Sequence, residues 1–183
     1  MLRYVPVFLV FVTQPLAAQA GAHPMDRLAH MVGRWEGDWT LAGPGQTQTG
    51  RIVETVEAKQ GGRVLVVEGL GREGGGGPDD RVIHDALGFI TWDADTGRYA
   101  MRAFREGVPV DAVLEVEGDA VVWGFDDPRA GRIRFTAHIT ADTWHELGEL
   151  SRDNGATWMR FMEMSLRRTS TAGRGTGNHL LPQ

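Results

Sequence analysis

Between Arg34 and Arg168 no stretch carries helical apolar spacing; instead, clusters of Gly, Asp, Asn and Pro interrupt the chain every ten to fifteen residues. They fall at Gly43-Pro44-Gly45, Gln60-Gly61-Gly62, Gly71 to Asp80, Asp93 to Gly97, Glu106-Gly107, Glu117-Gly118-Asp119, Asp126-Asp127-Pro128, Ala141-Asp142 and Asp153-Asn154-Gly155. Nine such turns delimit ten short strands. Several of the segments between them alternate as half-buried strands do. Ile133, Phe135, Ala137 and Ile139 are apolar where Arg132, Arg134, Thr136, His138 and Thr140 are polar, and Val110, Ala112, Leu114 and Val116 form a second such set. Most links are too short for crossover helices and so join antiparallel neighbours. An open sheet of this size would leave two long unpaired edges. The reading is therefore an all-β fold, a single antiparallel up-and-down β-barrel of nine or ten strands.

The segments outside this rhythm read differently. Met1-Leu2-Arg3, an apolar run from Tyr4 to Val12, Pro15 and then Ala17-Ala18-Gln19-Ala20 have the layout of a cleavable signal peptide over residues 1–20, with cleavage after Ala20 or Ala22. The apolar run is too short to span a bilayer, and the expected location is periplasmic or secreted. Loss of Arg3 takes the formal net charge from −5 to −6. So acidic a domain is poorly suited to phosphate backbones or anionic lipid surfaces, which argues against nucleic-acid partners and stable membrane insertion. The sequence has no Cys, so in an oxidising compartment the core must hold without disulfides. Pro24 to Val32, with apolar Leu28, Met31 and Val32 and with Gly33 beyond, reads as a short helix leading into the barrel domain, residues 24–168. Glu73 to Asp80 reads as a flexible loop and residues 169–183 as a disordered tail.

The string Leu28 to Trp39 contains Gly33-Arg34-Trp35 where the helix gives way to the first strand. Gly-x-Trp at that place resembles the opening motif of the lipocalin-like (calycin-type) barrels. With the closing string Ser151 to Arg168, it makes the whole core similar to a family of small exported bacterial barrels known only as a domain of unknown function. The resemblance implies that Trp35 plugs the closed end, with an Arg of the last strand over its ring. Arg160, Arg167 and Arg168 all stand on that strand. It also implies kinship in shape with the nitrobindin-type haem barrels, which need an iron-ligating His near the last strand; none occurs between His145 and the tail. No cofactor and no metal are expected. Ser151-x-Asp153-x-Gly155-x-Thr157-Trp158 matches the Asp-box pattern. A single copy in so short a chain reads as a structural hairpin staple, in which Asp and Ser side chains cap backbone donors and Trp158 packs beneath.

Gly69-Leu70-Gly71-Arg72-Glu73-Gly74 satisfies Gly-x-Gly-x-x-Gly, but Gly75 to Pro78 cannot start the helix that a dinucleotide site requires. His84, His138 and His145 stand on separate strands and read as polar strand residues. Glu68, His84, Asp85 and Glu146 have acid–base capability but read as a solvated face, and no nucleophile motif appears, so the chain leans away from an enzyme. Six Trp residues, five of them on or beside strands, point instead to an aromatic-lined interior. The expected ligand-binding set is Trp92, Met101, Leu114, Trp123, Phe135 and Met162, with Arg102 or His138 at a polar mouth, taking a small apolar or amphiphilic molecule. The alternative is an envelope-associated interaction module with a filled barrel.

Overall fold

The computed structural model describes residues 22–43 and 45–170. Ten strands follow in order: β1 (Gly33–Gly43), β2 (Gln46–Lys59), β3 (Val64–Glu73), β4 (Val82–Asp93), β5 (Arg98–Arg105), β6 (Val108–Glu117), β7 (Ala120–Asp127), β8 (Gly131–Ile139), β9 (Thr143–Ser151) and β10 (Met159–Ser170). Each pairs antiparallel with its neighbour in sequence, and β10 pairs with β1 to close the barrel. Trp39 of β1 thus stands beside Gly50 of β2 on one side and Met164 of β10 on the other. The up-and-down closed barrel expected from the turn spacing is the observed architecture, and closure leaves no sheet edge to protect.

The chain enters through a 3₁₀ helix, Pro24–Met31. Its apolar residues Met25, Leu28 and Met31 recur every third residue, which in a three-residue turn stacks them on one face. All three are buried beneath the barrel. The α-helical spacing that grouped Leu28, Met31 and Val32 is thus replaced by a tighter repeat that includes Met25. His23 caps the start by accepting from Met25 N, while Asp26 accepts from His23 N. Gly33 then turns the chain into β1 with φ of 145°, a conformation closed to most side chains.

This helix and Trp35 close one end. Trp35 is fully buried, donates from Nε1 to Met31 O at 2.9 Å and meets Trp144 edge-on at 5.7 Å. Of the three candidate arginines it is Arg168 whose guanidinium lies 3.9 Å over the Trp35 ring. That guanidinium also donates to the carbonyls of His30, Val32 and Ala141, tying helix, β1 and the β8–β9 turn together.

At the opposite end the β9–β10 hairpin carries the Asp-box. Asp153 Oδ1 accepts from Ser151 Oγ and Thr157 N, both at 2.8 Å, and Oδ2 accepts from Thr157 Oγ1 at 2.6 Å. Ser151 Oγ accepts from Gly155 N, and Gly155 has φ of 97°. Trp158 packs against the Arg134 guanidinium at 4.0 Å. Hydrogen bonds from Thr157 and Ser151 hold the Asp153 carboxyl down at about 2. Asp153→Ala is expected to lower the thermal midpoint by a few degrees and leave any binding activity unchanged, as scanning calorimetry beside a binding titration would show. Loss of binding in the folded variant would contradict a purely structural role.

The segment expected to be a flexible loop is tied down. β3 extends through Glu73, Arg81 pairs with Glu73, Arg72 donates to the carbonyls of Pro78 and Asp80, and Asp80 accepts from Gly77 N. The expected signal peptide and the tail from Thr171 onward lie outside the described residues.

Candidate ligand cavity

Strand alternation sends one side chain in two to the lumen, and the inner faces enclose a cavity of about 230 Å³. Trp39, Trp123, Phe135, Trp144 and Phe161 supply its aromatic wall, and Met31, the last residue of the helix, forms part of its floor. Trp123 stacks on Phe135 with ring centroids 4.0 Å apart, and Phe161 meets Phe135 edge-on at 5.8 Å. Two bulges shape the open rim. The register slips between Gly71 and Arg72 opposite β4, and again between Arg160 and Met162 on β10. Each inserts a residue out of alternation, so Ile83 joins His84, and Phe161 joins Met162, on the cavity wall.

Of the residues expected to line the lumen, Met101, Leu114, Trp123, Phe135 and Met162 all border this cavity. Trp92 does not; it sits at the closed end against Tyr99, 5.0 Å away, whose hydroxyl donates to Pro24 O. Arg102 and His138 face outward, contrary to their expected place at the mouth. Arg102 forms a bidentate pair with Asp111, its partner across β5 and β6, and His138 stands 3.7 Å from Asp119. The physical reason is parity. Tyr99, Met101 and Ala103 set the inward register of β5, which excludes Arg102 and delivers Arg105 to the rim. His138 lies between inward Ala137 and Ile139.

The polar groups that do border the cavity are Glu54, Glu146, His84 and Arg105. Glu54 and Glu146 are 7% and 5% exposed. Glu146 accepts from Trp144 Nε1 at 3.1 Å, yet burial still raises its carboxyl to about 7. Glu54 lies against Gly69, where an added methyl carbon would come within 2.6 Å of its Oε1. Burial, and then the neighbouring Glu146 carboxyl, push Glu54 well above the ordinary range. His84 is shifted down by burial and by Arg105 beside it. Glu146 is therefore not on a solvated face, as the sequence suggested, whereas Asp85 is exposed on the outer side of β4. Glu54 was missed, although its position between Ile52 and Val56 in the inward register of β2 marks it. Gly69, the first glycine of the Gly-x-Gly-x-x-Gly string, leaves the space into which Glu54 fits.

A closed antiparallel barrel around an aromatic lumen, plugged at one end by a Trp under an Arg, defines a lipocalin-like barrel. No protein-family profile matches the chain, and no curated protein matches its sequence significantly. Among solved structures, the chain is similar to Rv2717c from M. tuberculosis, with TM-score 0.58 and 13% identity over 80% of this chain and 98% of that one. It is also similar to the S-type phycobiliprotein lyase CPES from Guillardia theta, with TM-score 0.52 and 11% identity over 79% and 89% of the two chains. At these identities the likeness is one of fold.

Proposed function

We propose that the chain is an exported lipocalin-like protein that holds one small apolar or amphiphilic molecule in its barrel. The observation that carries this is the cavity of about 230 Å³, aromatic-walled and closed at its base by the plug. A packed barrel of the same alternation would have no such space. A phycobiliprotein lyase has a barrel of similar architecture, in keeping with a fold suited to small-molecule work. Burial of ~200 Å² of ligand apolar surface at about 25 cal/mol per Å² supplies roughly 5 kcal/mol before association costs, so micromolar binding is the expected scale.

Titration with fatty acids, isoprenoids and haem is expected to change Trp emission saturably for at least one class. Trp123→Ala removes the ring stacked on Phe135 and is expected to weaken that binding by about tenfold, equivalent to about 1.4 kcal/mol. Absence of any saturable response would remove the proposal. Export carries its own test: mass spectrometry of the protein from its native host is expected to find Gly21 or His23 at the N-terminus, and retention of residues 1–20 would contradict it.

A second reading, an interaction module, draws on the outer wall. Leu70, Phe89, Val108 and Val113 are exposed on β3 to β6, and Phe89 meets Phe104 edge-on at 6.4 Å. Concentration-dependent association in sedimentation, abolished by Phe89→Ser, would favour it.

A further inference from the structure

Two buried carboxyl groups in an apolar cavity are costly unless something partners them. Trp144 partners Glu146. Among the described residues nothing hydrogen-bonds or ion-pairs with Glu54, which is 93% buried and borders the open space. The charged and titratable groups facing that space are Glu54 from β2, His84 from β4, Arg105 from β5 and Glu146 from β9. The two inner ones are both acids. Gly69 of β3 faces Glu54, while Ala137 of β8 and Met164 of β10 flank Glu146, so no neighbouring strand brings a basic group to either.

From this arrangement, and resting on the lumen-binding reading above, we propose that the ligand carries a protonated amine, an organic ammonium whose N–H groups bond to Glu54 and Glu146 while its apolar body packs on the aromatic wall. Three features point to this class. An ammonium is a donor-only group matched to acceptor-only carboxylates. The indole rings of Trp39, Trp123 and Trp144 border the same space, and indoles are the aromatic groups that attract cations most strongly. And among the described residues no three His, Cys, Asp or Glu side chains stand together, so the pair lacks the donor set that a metal ion takes. Because ligand charge and carboxyl ionisation are coupled, binding releases protons, and affinity rises as the pH passes upward through about 7, where Glu146 ionises. His84 and Arg105 at the rim add no attraction for a cation, and burial, then the neighbouring Arg105, disfavour a charge on His84.

The test uses three probes of one shape: 2-phenylethylamine, 2-phenylethanol and 3-phenylpropionate, titrated calorimetrically into the full chain at pH 6 and pH 8. The amine is expected to bind at least tenfold more tightly than the alcohol at pH 8, as a charge-assisted hydrogen bond shielded from water implies. The carboxylate is expected to bind most weakly. Amine affinity is expected to fall several-fold at pH 6, and its heat of binding to differ between phosphate and Tris by the proton released. Glu54→Gln is expected to cut the amine-over-alcohol affinity ratio at pH 8 at least threefold, and Glu146→Gln is expected to do the same and is read in its place if Glu54→Gln fails to fold; a wild-type ratio retained in the folded variants would overturn the assignment. Equal or tighter binding of the alcohol or the carboxylate by the wild-type chain would overturn the ammonium assignment and leave the lumen-binding reading standing. Failure of all three probes, and of the broader panel of apolar ligands, would overturn both; failure of these three with binding from that panel would overturn the ammonium assignment alone.

Discussion

The barrel is expected to be less stable at pH 8 than at pH 5, by about 3 kcal/mol from Glu146 alone. An unfolded glutamate titrates near 4.5, and burial raises Glu146 to about 7 in the folded protein. Each tenfold change in proton affinity is worth about 1.4 kcal/mol. Between these two values the folded state holds a proton that the unfolded state has released, so stability falls as pH rises from about 4.5 through 7 and is level above. Glu54, raised well above its ordinary value, acts in the same direction. His84 opposes them: its lowered value means that stability falls on acidification from 6.5 through the folded value. The carboxyls held low, Asp153 with its hairpin bonds and Glu163 beside His145, lose their contribution only in stronger acid. The stability maximum is therefore expected on the acid side of neutrality, below the optimum for ammonium binding.

Glu146→Gln isolates the cause. The amide oxygen still accepts from Trp144 Nε1, and no charge forms in the lumen. Urea unfolding is expected to give the variant wild-type stability at pH 5 and about 3 kcal/mol more than wild type at pH 8. Such a gain is a large fraction of the 5–15 kcal/mol that small domains have. A wild-type profile that is flat or rises between pH 5 and 8, or a variant destabilised at both, would show that Glu146 is not buried as a carboxyl. A group that lowers stability where ligand affinity is highest is characteristic of a binding site.

How much of this was legible in the sequence follows from what a periodic pattern encodes. Turn residues and alternation report where the chain reverses and which residues share a face, so strand number, barrel closure and lumen residues such as Leu114 and Phe135 could be read directly. Parity was available for the mouth as well. Chemistry alone suggests Arg102 or His138 for the mouth, although Met101 and Ala137 beside them already hold the inner face of those strands. Glu54 and Glu146 stand in the apolar register of β2 and β9, a departure from pattern that marks function more often than error. Ile83 and Phe161 could not be foreseen, because a bulge depends on pairing with a distant segment and leaves little trace in local spacing. The choice of Arg168 over Arg160 and Arg167 depended likewise on register with β1, where Trp35 pairs with Arg168.

Trp35→Ala is expected to cost about 4 kcal/mol, near the middle of the range for losing a buried large aromatic, and to be felt in the cavity as well as at the base. The ring is wholly excluded from solvent, covered by Arg168 on one face and met edge-on by Trp144. Removing it leaves the Met31 carbonyl without its indole donor and Arg168 without its plate. Arg168→Ala leaves the ring but strands the carbonyls of His30, Val32 and Ala141, at an expected cost of about 2–3 kcal/mol; a Lys there keeps the charge without the planar fork that reaches all three. Since both substitutions dismantle one contact, the double variant is expected to lose less than the two single losses together. The route to the cavity runs through Trp144, which touches Trp35 on one side and donates to Glu146 on the other. Releasing it weakens the bond that tempers the rise of the Glu146 carboxyl, so in Trp35→Ala the fall in stability with pH is expected to extend above that of wild type. Urea unfolding from pH 5 to 9 measures both effects. A loss below about 1 kcal/mol would show that the ring is not a plug, and an unaltered pH profile would show that base and lumen are uncoupled.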